Sequence, residues 1–487
     1  MKPHTKFRIE DFKRVFGHSD DVKFETYYFD KDKKEKLEII YCRSIVDVKS
    51  LRKDVVSVLH EMVEEQGYAI LQQANQLGRA QLEDVSPESS WDELAKRIFS
   101  GEVFFLIETY NCLYSVLLAQ FPKRRPEESN TEISFRGPRD GFTEDVEENI
   151  ALVRKRLRTK ALINESFTVG KRGQTQLSLL YMKDVARPEI INEARTRIKQ
   201  IDTDSVLSLA EIEERMSNTK FTFFPLTVFS SRPDFVAACL ENGRFVVITD
   251  GSPGAVIAPV NLMFVLKTAE DLHNSFLAVV FQRLLRVLGL VFALFLPGFW
   301  IALNTFHVDQ LPLPFLATIF VSRLGLPISS TIEIFLMLVL FELFREAGTT
   351  LPKSVGQTLA VVGGLIIGDA AIRAGLTSPT MLVVVGLTVV STFAITSQVL
   401  SGTISIMRIY VLILSAFLGM FGFCIGVISV ILYLASLESF GLPYLSPLSP
   451  FSKKDFVSGL LAKPWMWRKR RPKTLHTVDS TRRRDEW

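Results

Sequence analysis

The chain has 487 residues, 47% of them hydrophobic and 23% charged, with a formal net charge of +4. The charge is unevenly spread: residues 1–286 are slightly acidic, residues 287–452 hold only five basic and six acidic side chains, and residues 453–487 carry a net +7. A stretch of that length with so few charges excludes a fully soluble protein, and the acidic first section excludes a basic nucleic-acid binder.

Taken in chain order, residues 1–10 are polar and carry Lys2, Lys6 and Arg8 with no apolar stretch behind them. No cleavable signal peptide is expected, so the first section is expected in the cytoplasm. A β-hairpin follows, its strands Phe24–Phe29 and Leu37–Tyr41 flanking the charged turn at Asp30. The next helix puts Val55, Val58, Leu59 and Met62 on one face, and an apolar strand runs over 103–107. Pro122 to Asn130 reads as a polar linker, and a helix rich in both charges runs from about Thr143 to Lys160.

The pattern then repeats. Glu165–Val169 and Gln176–Tyr181 form a second hairpin around Gly170-Lys-Arg-Gly173, Ile190, Ile191, Ala194 and Ile198 share a helix face, and strands at 245–249 and 255–258 flank Gly251-Ser-Pro-Gly254. Leu37–Asp47 aligns with Leu177–Arg187, and Gly101–Glu108 with Gly243–Asp250, at offsets of 140 and 142 residues. Two tandem similar α/β units are the expectation, each large enough for its own core.

A helix needs roughly 20 apolar residues to cross a hydrocarbon slab. Val287–Phe306, Val355–Ile372, Met381–Leu400 and Ile409–Leu437 meet that need. Ile328–Phe344 is apolar but carries the intramembrane acids Glu333 and Glu342, and is read as a partial insertion. The two acids either line an ion path or meet headgroups. Arg283 and Arg286 before the first run, and Arg468–Arg471 after the last, put both ends of this all-α polytopic domain on the cytoplasmic side. The expected division is 1–121, first unit; 122–160, linker and charged helix; 161–280, second unit; 281–452, transmembrane domain; 453–487, basic cytoplasmic tail. The tail's arginines either touch anionic lipid or are solvated.

Within 355–372, Gly364 and Gly368 form a GxxxG notch for helix packing. Thr358, Val362, Leu365 and Asp369 share a neighbouring face with polar ends and an apolar middle. Repeated around a symmetric oligomer, that face lines a water path with a constriction at Val362. The competing reading is packing alone, with Asp369 paired to Arg373 at the helix end.

The six histidines are scattered, and Cys42, Cys112, Cys239 and Cys424 have no metal-binding or disulfide spacing. No catalytic residue, metal or cofactor is expected, and the chain is read as no enzyme. Arg136-Gly-Pro-Arg-Asp-Gly141 is either an anion-binding loop or a surface turn.

Arg136-Gly-Pro-Arg-Asp-Gly-Phe142, Arg232-Pro-Asp-Phe-Val-Ala-Ala238, Phe341-Glu-Leu-Phe-Arg-Glu-Ala-Gly348, Leu351-Pro-Lys-Ser-Val-Gly-Gln357, Gly363-Gly-Leu-Ile-Ile-Gly368 and Gly441-Leu-Pro-Tyr-Leu-Ser-Pro-Leu-Ser-Pro450 resemble the A subunits of GerA-type spore germination receptors. The first 120 residues carry least of the likeness. The resemblance implies a multi-pass protein of the spore inner membrane, working with a transporter-like B subunit and a lipoprotein C subunit. It also implies a homo-oligomeric, pentameric ion channel opened by nutrients, or a sporulation-locus paralogue linked to ion release. A secondary transporter and a non-conducting membrane scaffold stand as the alternatives.

Overall fold

The structure, a computed structural model, describes residues 7–29, 36–66, 82–86, 89–120, 132, 134–217, 222–350, 368–452, 455–456, 459, 464 and 467–482. Its first half contains two five-stranded sheets. In the first, helix α1 (Ile9–Phe16) precedes β1 (Val22–Tyr28) and β2 (Lys36–Cys42). A helical stretch from Val48 through a π turn (Leu51–Val56) ends in α2 (Ser57–Gln66). Then come β3 (Glu83–Asp84), α3 (Trp91–Ile98), β4 (Glu102–Ile107) and β5 (Cys112–Leu117). Helix α4 (Val146–Arg156) leads into β6 (Leu162–Val169), β7 (Thr175–Met182), α5 (Pro188–Lys199), α6 (Leu209–Met216), β8 (Val228–Ser230), α7 (Pro233–Glu241), β9 (Phe245–Thr249) and β10 (Ala255–Ala258).

The sheets share one strand order, β1-β2-β4-β5-β3 and β6-β7-β9-β10-β8. All the described pairs are antiparallel. The expected alternation of helix and strand is therefore present without the parallel sheet that usually accompanies it. The first two strands of each sheet form a hairpin, which forces the antiparallel start. Matching side chains sit at matching places: Tyr41 donates to Glu25 and Tyr181 to Glu165, each at 2.6 Å, and Gly101 and Gly243 both have positive φ, 95° and 90°.

The inner strands β2, β4, β7 and β9 are covered on both faces and are mostly apolar, whereas the outer strands β1 and β6 alternate in part between half-buried and exposed residues. In the first sheet Leu37, Ile39 and Tyr41 face the Leu51, Val55 and Leu59 helical stretch. Ile40 and Cys42 face Phe12, Trp91 and Leu94. In the second sheet Leu177, Leu179 and Val247 pack on α5 and α6. The opposite face, with Leu180, Val246 and Ile248, shares one core with α4, α7 and the apolar helices beyond residue 276.

Helix α4 joins the two units. Arg154 is fully buried; its Nε and Nη2 donate to the Asp21 carboxylate at 2.9 and 3.0 Å, and Nη2 also donates to Ser19 Oγ at 2.8 Å. Its guanidinium lies 4.1 Å from the centre of the Phe99 ring. Asp20 N donates to Asn164 O and Ser166 N to Asp20 Oδ2, so the two sheets are also bound directly. The charged helix that the sequence grouped with a linker is thus a wedge between cores. The 122–130 linker itself lies outside the described residues.

The second half is helical. It comprises α8 (Phe276–Ile301), continued by a π turn (Ala302–Phe306), α9 (Leu313–Ser322), α10 (Ser330–Thr350), α11 (Pro379–Phe393) and α12 (Gln398–Ser436). The stretches Phe276–Phe306 and Gln398–Ser436 are long and apolar enough to cross a membrane. Phe281, Val383, Val390, Phe417 and Phe421 are exposed, whereas Gly298, Thr388, Thr392 and Ser415 are buried. Large apolar side chains on the outside, with small and hydroxyl residues among those buried, suit helices packed in lipid.

Two expected runs differ from the structure. Ile409–Leu437, read as one span, is folded back on itself. Gly419 has φ 61° and ψ −139°, and the hydroxyls of Tyr410 and Ser429, nineteen residues apart, lie 3.1 Å from each other. Only a residue without a Cβ adopts that backbone cheaply, and a Cβ there would meet the Phe306 ring at 2.8 Å. Helix α12 is therefore a hairpin of two limbs. Met381–Leu400 is also divided, since α11 ends at Phe393 and Ser397 caps the next helix by accepting from Leu400 N. Residues 330–344 of the run read as a partial insertion lie in the 21-residue α10. Most of Val355–Ile372 lies outside the described residues.

The hairpin ends meet the soluble half: Phe223 N donates to Tyr433 Oη at 3.1 Å, and Thr403 Oγ1 donates to Phe223 O. The described part of the basic tail returns to the second unit. Arg471 donates to Glu241 O at 2.7 Å and pairs with Asp479, Arg482 pairs with Glu241, and Val478 N donates to Val185 O. Those two arginines are therefore neutralised by protein.

Burial raises the Asp21 pKa, but the Arg154 charge and the hydrogen bonds from Arg154, Ser19 and Cys42 outweigh it and hold the carboxyl below its ordinary 3.8. Its contribution to stability is present above that value and lost as pH falls through the lowered one. Arg154→Met strands a buried carboxylate and should cost about 3–5 kcal/mol in denaturant unfolding at pH 7. The cost should shrink towards pH 3; a variant as stable as the parent at pH 7 would contradict this reading.

Candidate functional site

Helix α10 lies along the first limb of α12, and its spacing sets a charged cluster against a row of serines. Glu342 and Arg345 stand one turn apart on α10; Ser401, Ser405 and Arg408 line the facing side of α12. Glu342 accepts from Ser405 Oγ at 2.6 Å and from Arg345 at 2.7 Å, and forms an ion pair with Arg408. Arg345 Nη1 donates to Ser401 Oγ and Ser405 Oγ, both at 3.1 Å. Arg408, only 3% exposed, also donates to Thr392 Oγ1 of α11 at 3.2 Å. One cluster thus ties three helices together. A buried ion pair is tolerated in apolar surroundings only with such additional hydrogen bonds. A groove of about 330 Å³ opens beside it, along α10.

A second cluster sits at the other end of α10. Glu333 is 1% exposed and accepts from Thr377 Oγ1 at 3.0 Å, Ser378 N at 2.6 Å and Ser378 Oγ at 2.8 Å, with Arg323 at 3.7 Å. Ser378 is the N-cap of α11, so the carboxylate rests at a helix N-terminus, where a negative charge is favoured. Asn304 Nδ2 donates to Ser330 Oγ at 3.1 Å, which puts this end where α8 finishes, away from the soluble half. Between the clusters Ile334, Met337, Leu338, Val384, Val385 and Leu412 form a buried apolar core. The two acids stand about 13 Å apart along the helix.

The sheet-bearing half grips the bundle through Asp271, 4% exposed. It accepts from Arg283 Nε at 2.9 Å, Arg286 Nη1 at 3.0 Å and Thr268 Oγ1 at 2.8 Å, and Arg286 also donates to Leu266 O. The two arginines read from sequence as orientation signals on α8 are thus ligated by protein. Half-buried Lys267 nearby is pushed down to about 7 by burial and by the charges of Arg283 and Arg244. Upstream, Arg232 is sandwiched between Asp234 and Glu270, and His273 Nε2 lies 2.7 Å from Asp234. The Arg136–Gly141 loop closes over this cluster: Arg136 N donates to Glu270, and Gly137 packs on Arg232 so closely that a Cβ would collide. Asp140 of the same loop takes Arg156 in two bonds of 2.7 Å.

Of the residues read as lining a path or packing a notch, Thr358, Val362, Gly364 and Leu365 lie outside the described residues. Gly368 is buried with Leu382 of α11 as its neighbour, and Asp369 is exposed and paired with Arg373 at 2.8 Å. Glu333 and Glu342 are both hydrogen-bonded inside the bundle. Among the described residues no group of three or more His, Cys, Asp or Glu converges on a metal position, and the cysteines are free thiols. Sequence reasoning missed Arg345, Ser405, Arg408 and Asp271. The signal for Arg408 was available: one arginine set between apolar residues on a membrane helix needs an acid, and Glu342 was the candidate.

The model of the Bacillus/Clostridium GerA spore germination protein family matches residues 10–474. The chain is 41% identical over 449 residues to spore germination protein XA of Bacillus anthracis, covering 92% of this chain and 91% of that one. It is 32% identical to spore germination protein KA of Bacillus subtilis (strain 168), covering 99% and 88%. Among solved structures, the N-terminal domain of the A subunit of the Bacillus megaterium spore germinant receptor GerK3 matches 53% of this chain and 96% of its own, at 24% identity and a TM-score of 0.39. By the extent of the family-model match and of the likeness to the two germination proteins, the chain belongs to the GerA family of spore germination proteins.

Proposed function

We propose that this chain is the A-type membrane subunit of a nutrient-germinant receptor in the spore inner membrane. In this reading it assembles with a transporter-like B subunit, a lipoprotein C subunit and further copies of itself into a ligand-gated ion channel. The observation that carries the reading is the family match over nearly the whole chain. The architecture supports it: a soluble half clamped through Asp271 to a bundle whose outer surface is apolar can pass a conformational change into the membrane. Catalysis has no part in this reading.

Ions pass, in this proposal, along the 355–372 segments of several copies, with Thr358, Val362, Leu365 and Asp369 facing the path and Gly364 and Gly368 packing. The exposure of Asp369 is what this proposal needs of a path-facing residue, whereas its pairing with Arg373 at the helix end is what the packing alternative expects. Glu342 and Arg408 hold α10 to α12 while the path is shut.

Two outcomes follow. Val362→Ala widens the constriction and should raise ion leakage from dormant spores about tenfold, equivalent to ~1.4 kcal/mol of bias towards the open state. Ion retention equal to the parent's would count against the path. Glu342→Gln and Arg408→Gln should each lower the stability of the detergent-purified protein by about 3–5 kcal/mol, and the double variant should lose less than either single. Additive losses would show that the pair is no latch.

A further inference from the structure

The joint between the second sheet unit and α8 holds more positive charge than its own acids meet. Arg283 and Arg286 share the single carboxylate of Asp271. Arg244, just before β9, is only 6% exposed; its Nε donates to Pro259 O at 3.0 Å, and its guanidinium lies 3.8 Å from the centre of the Phe264 ring. Lys267 stands one turn beyond Phe264, with its backbone N donating to Phe264 O at 3.0 Å. The residues on either side of it hold Arg286, since Leu266 O and Thr268 Oγ1 both accept from that guanidinium. Among the described residues neither Arg244 nor Lys267 pairs with a carboxylate. Burial disfavours the charged form of both, and at Lys267 the charges of Arg283 and Arg244 add to it.

The acids around the joint are engaged or stand apart from these two cations. Glu132 accepts from Ser230 and Ser231, and Asp234 is held by Arg232 and His273. Asp455 lies four residues before Gly459, whose carbonyl accepts from Arg283 Nη1, yet it pairs with neither Arg244 nor Lys267. The Cys239 thiol of α7, pushed up to about 12 by burial, is neutral. Neighbouring buried cations without an acid are costly, and an anion from outside the chain removes that cost. A phosphate fits the donors, because its several oxygens accept from an arginine fork and a lysine at once. The level fits as well: Arg283 and Arg286 immediately precede the apolar run that starts at Val287, which is headgroup depth for a helix that crosses a bilayer.

We infer that this joint is a phosphate-binding site, in which Arg244 and Lys267 donate to the oxygens of one phosphate group while Asp271 keeps Arg283 and Arg286. A phospholipid headgroup and a free phosphate ion offer the same chemistry to it. Occupancy offsets the repulsion between Lys267 and Arg283, and so tightens the hold of the second sheet unit on α8.

The test uses the full chain, purified in mild detergent and stripped of lipid. Calorimetric titration with sodium phosphate at constant ionic strength reads the free ion, and native mass spectrometry after exposure to phosphatidylglycerol reads the lipid. The expected result is one phosphate group bound per chain. Heat from the inorganic ion assigns the site to free phosphate, and retention of the lipid alone assigns it to a headgroup. Lys267→Met should weaken whichever probe binds about tenfold. With no anion present the same variant should unfold at a higher denaturant concentration than the parent, because a like charge has left the joint. Lys183→Met, at an exposed lysine of the second unit, should change neither property. Binding of neither probe by the parent, or binding weakened equally in Lys267→Met and Lys183→Met, would overturn the site. So would a Lys267→Met protein that binds as the parent does, or one less stable than the parent without anion, which would make Lys267 a structural residue.

Discussion

The helical half is governed by one constraint: a charged group in an apolar bundle has no water to turn to, so every one must be met by another side chain or a helix end. Glu342 meets Arg345 and Arg408, and Glu333 meets the N-cap of α11. Satisfying these groups fixes which helices touch. Helix α10 must lie against the first limb of α12 at one end and against the start of α11 at the other. The apolar residues from Ile334 to Leu412 then close the space between. If the bundle lies in a bilayer, as proposed above, the clusters decide the packing more than the apolar contacts do, because apolar surfaces there have no special reason to prefer one another to lipid.

The same principle joins the halves. The buried Asp271 between Arg283 and Arg286 is worth having only if the start of α8 stays fixed to the second sheet unit. The core of that unit continues without a break into the bundle, through Ala293, Leu294, Leu400 and Tyr444. The second sheet, α8 and α12 thus share one packed core. The first sheet is attached differently, through Arg154 and Asp21 at the wedge of α4. A change between the two soluble units would have to strain that pair, whereas a change between soluble half and bundle would have to strain Asp271.

Much of the soluble half was legible. Hairpins with charged or glycine-bearing turns, helix faces at three- and four-residue spacing, and the Gly251–Gly254 turn are local signals that depend on few distant residues, and each has its counterpart in the structure. Strand β5, the two short edge strands and the strand order were not legible, because pairing is a choice among distant partners. Arg154 looked like one more charge on a charged helix; only the approach of Asp21, 133 residues away, makes it a core residue. In the helical half, apolar runs were visible but their ends were not. Gly419 resembles any other glycine of the run, and its reversal depends on Phe306 and on the second limb returning along the first. Glu333 and Glu342 stood out by charge, yet their partners lie on other helices.

The central claim is that several copies of residues 355–372 enclose an ion path. The most direct measurement is ionic current across a planar bilayer holding the reconstituted receptor. Single cysteines would be placed at Thr358, Val362 and Leu365 in a chain whose own cysteines, among them the exposed Cys424, have been replaced. The account predicts nutrient-dependent current that a water-soluble thiol reagent blocks at all three positions, spaced as one helix face. Current that is absent, or present and untouched by the reagent at every position, would contradict it.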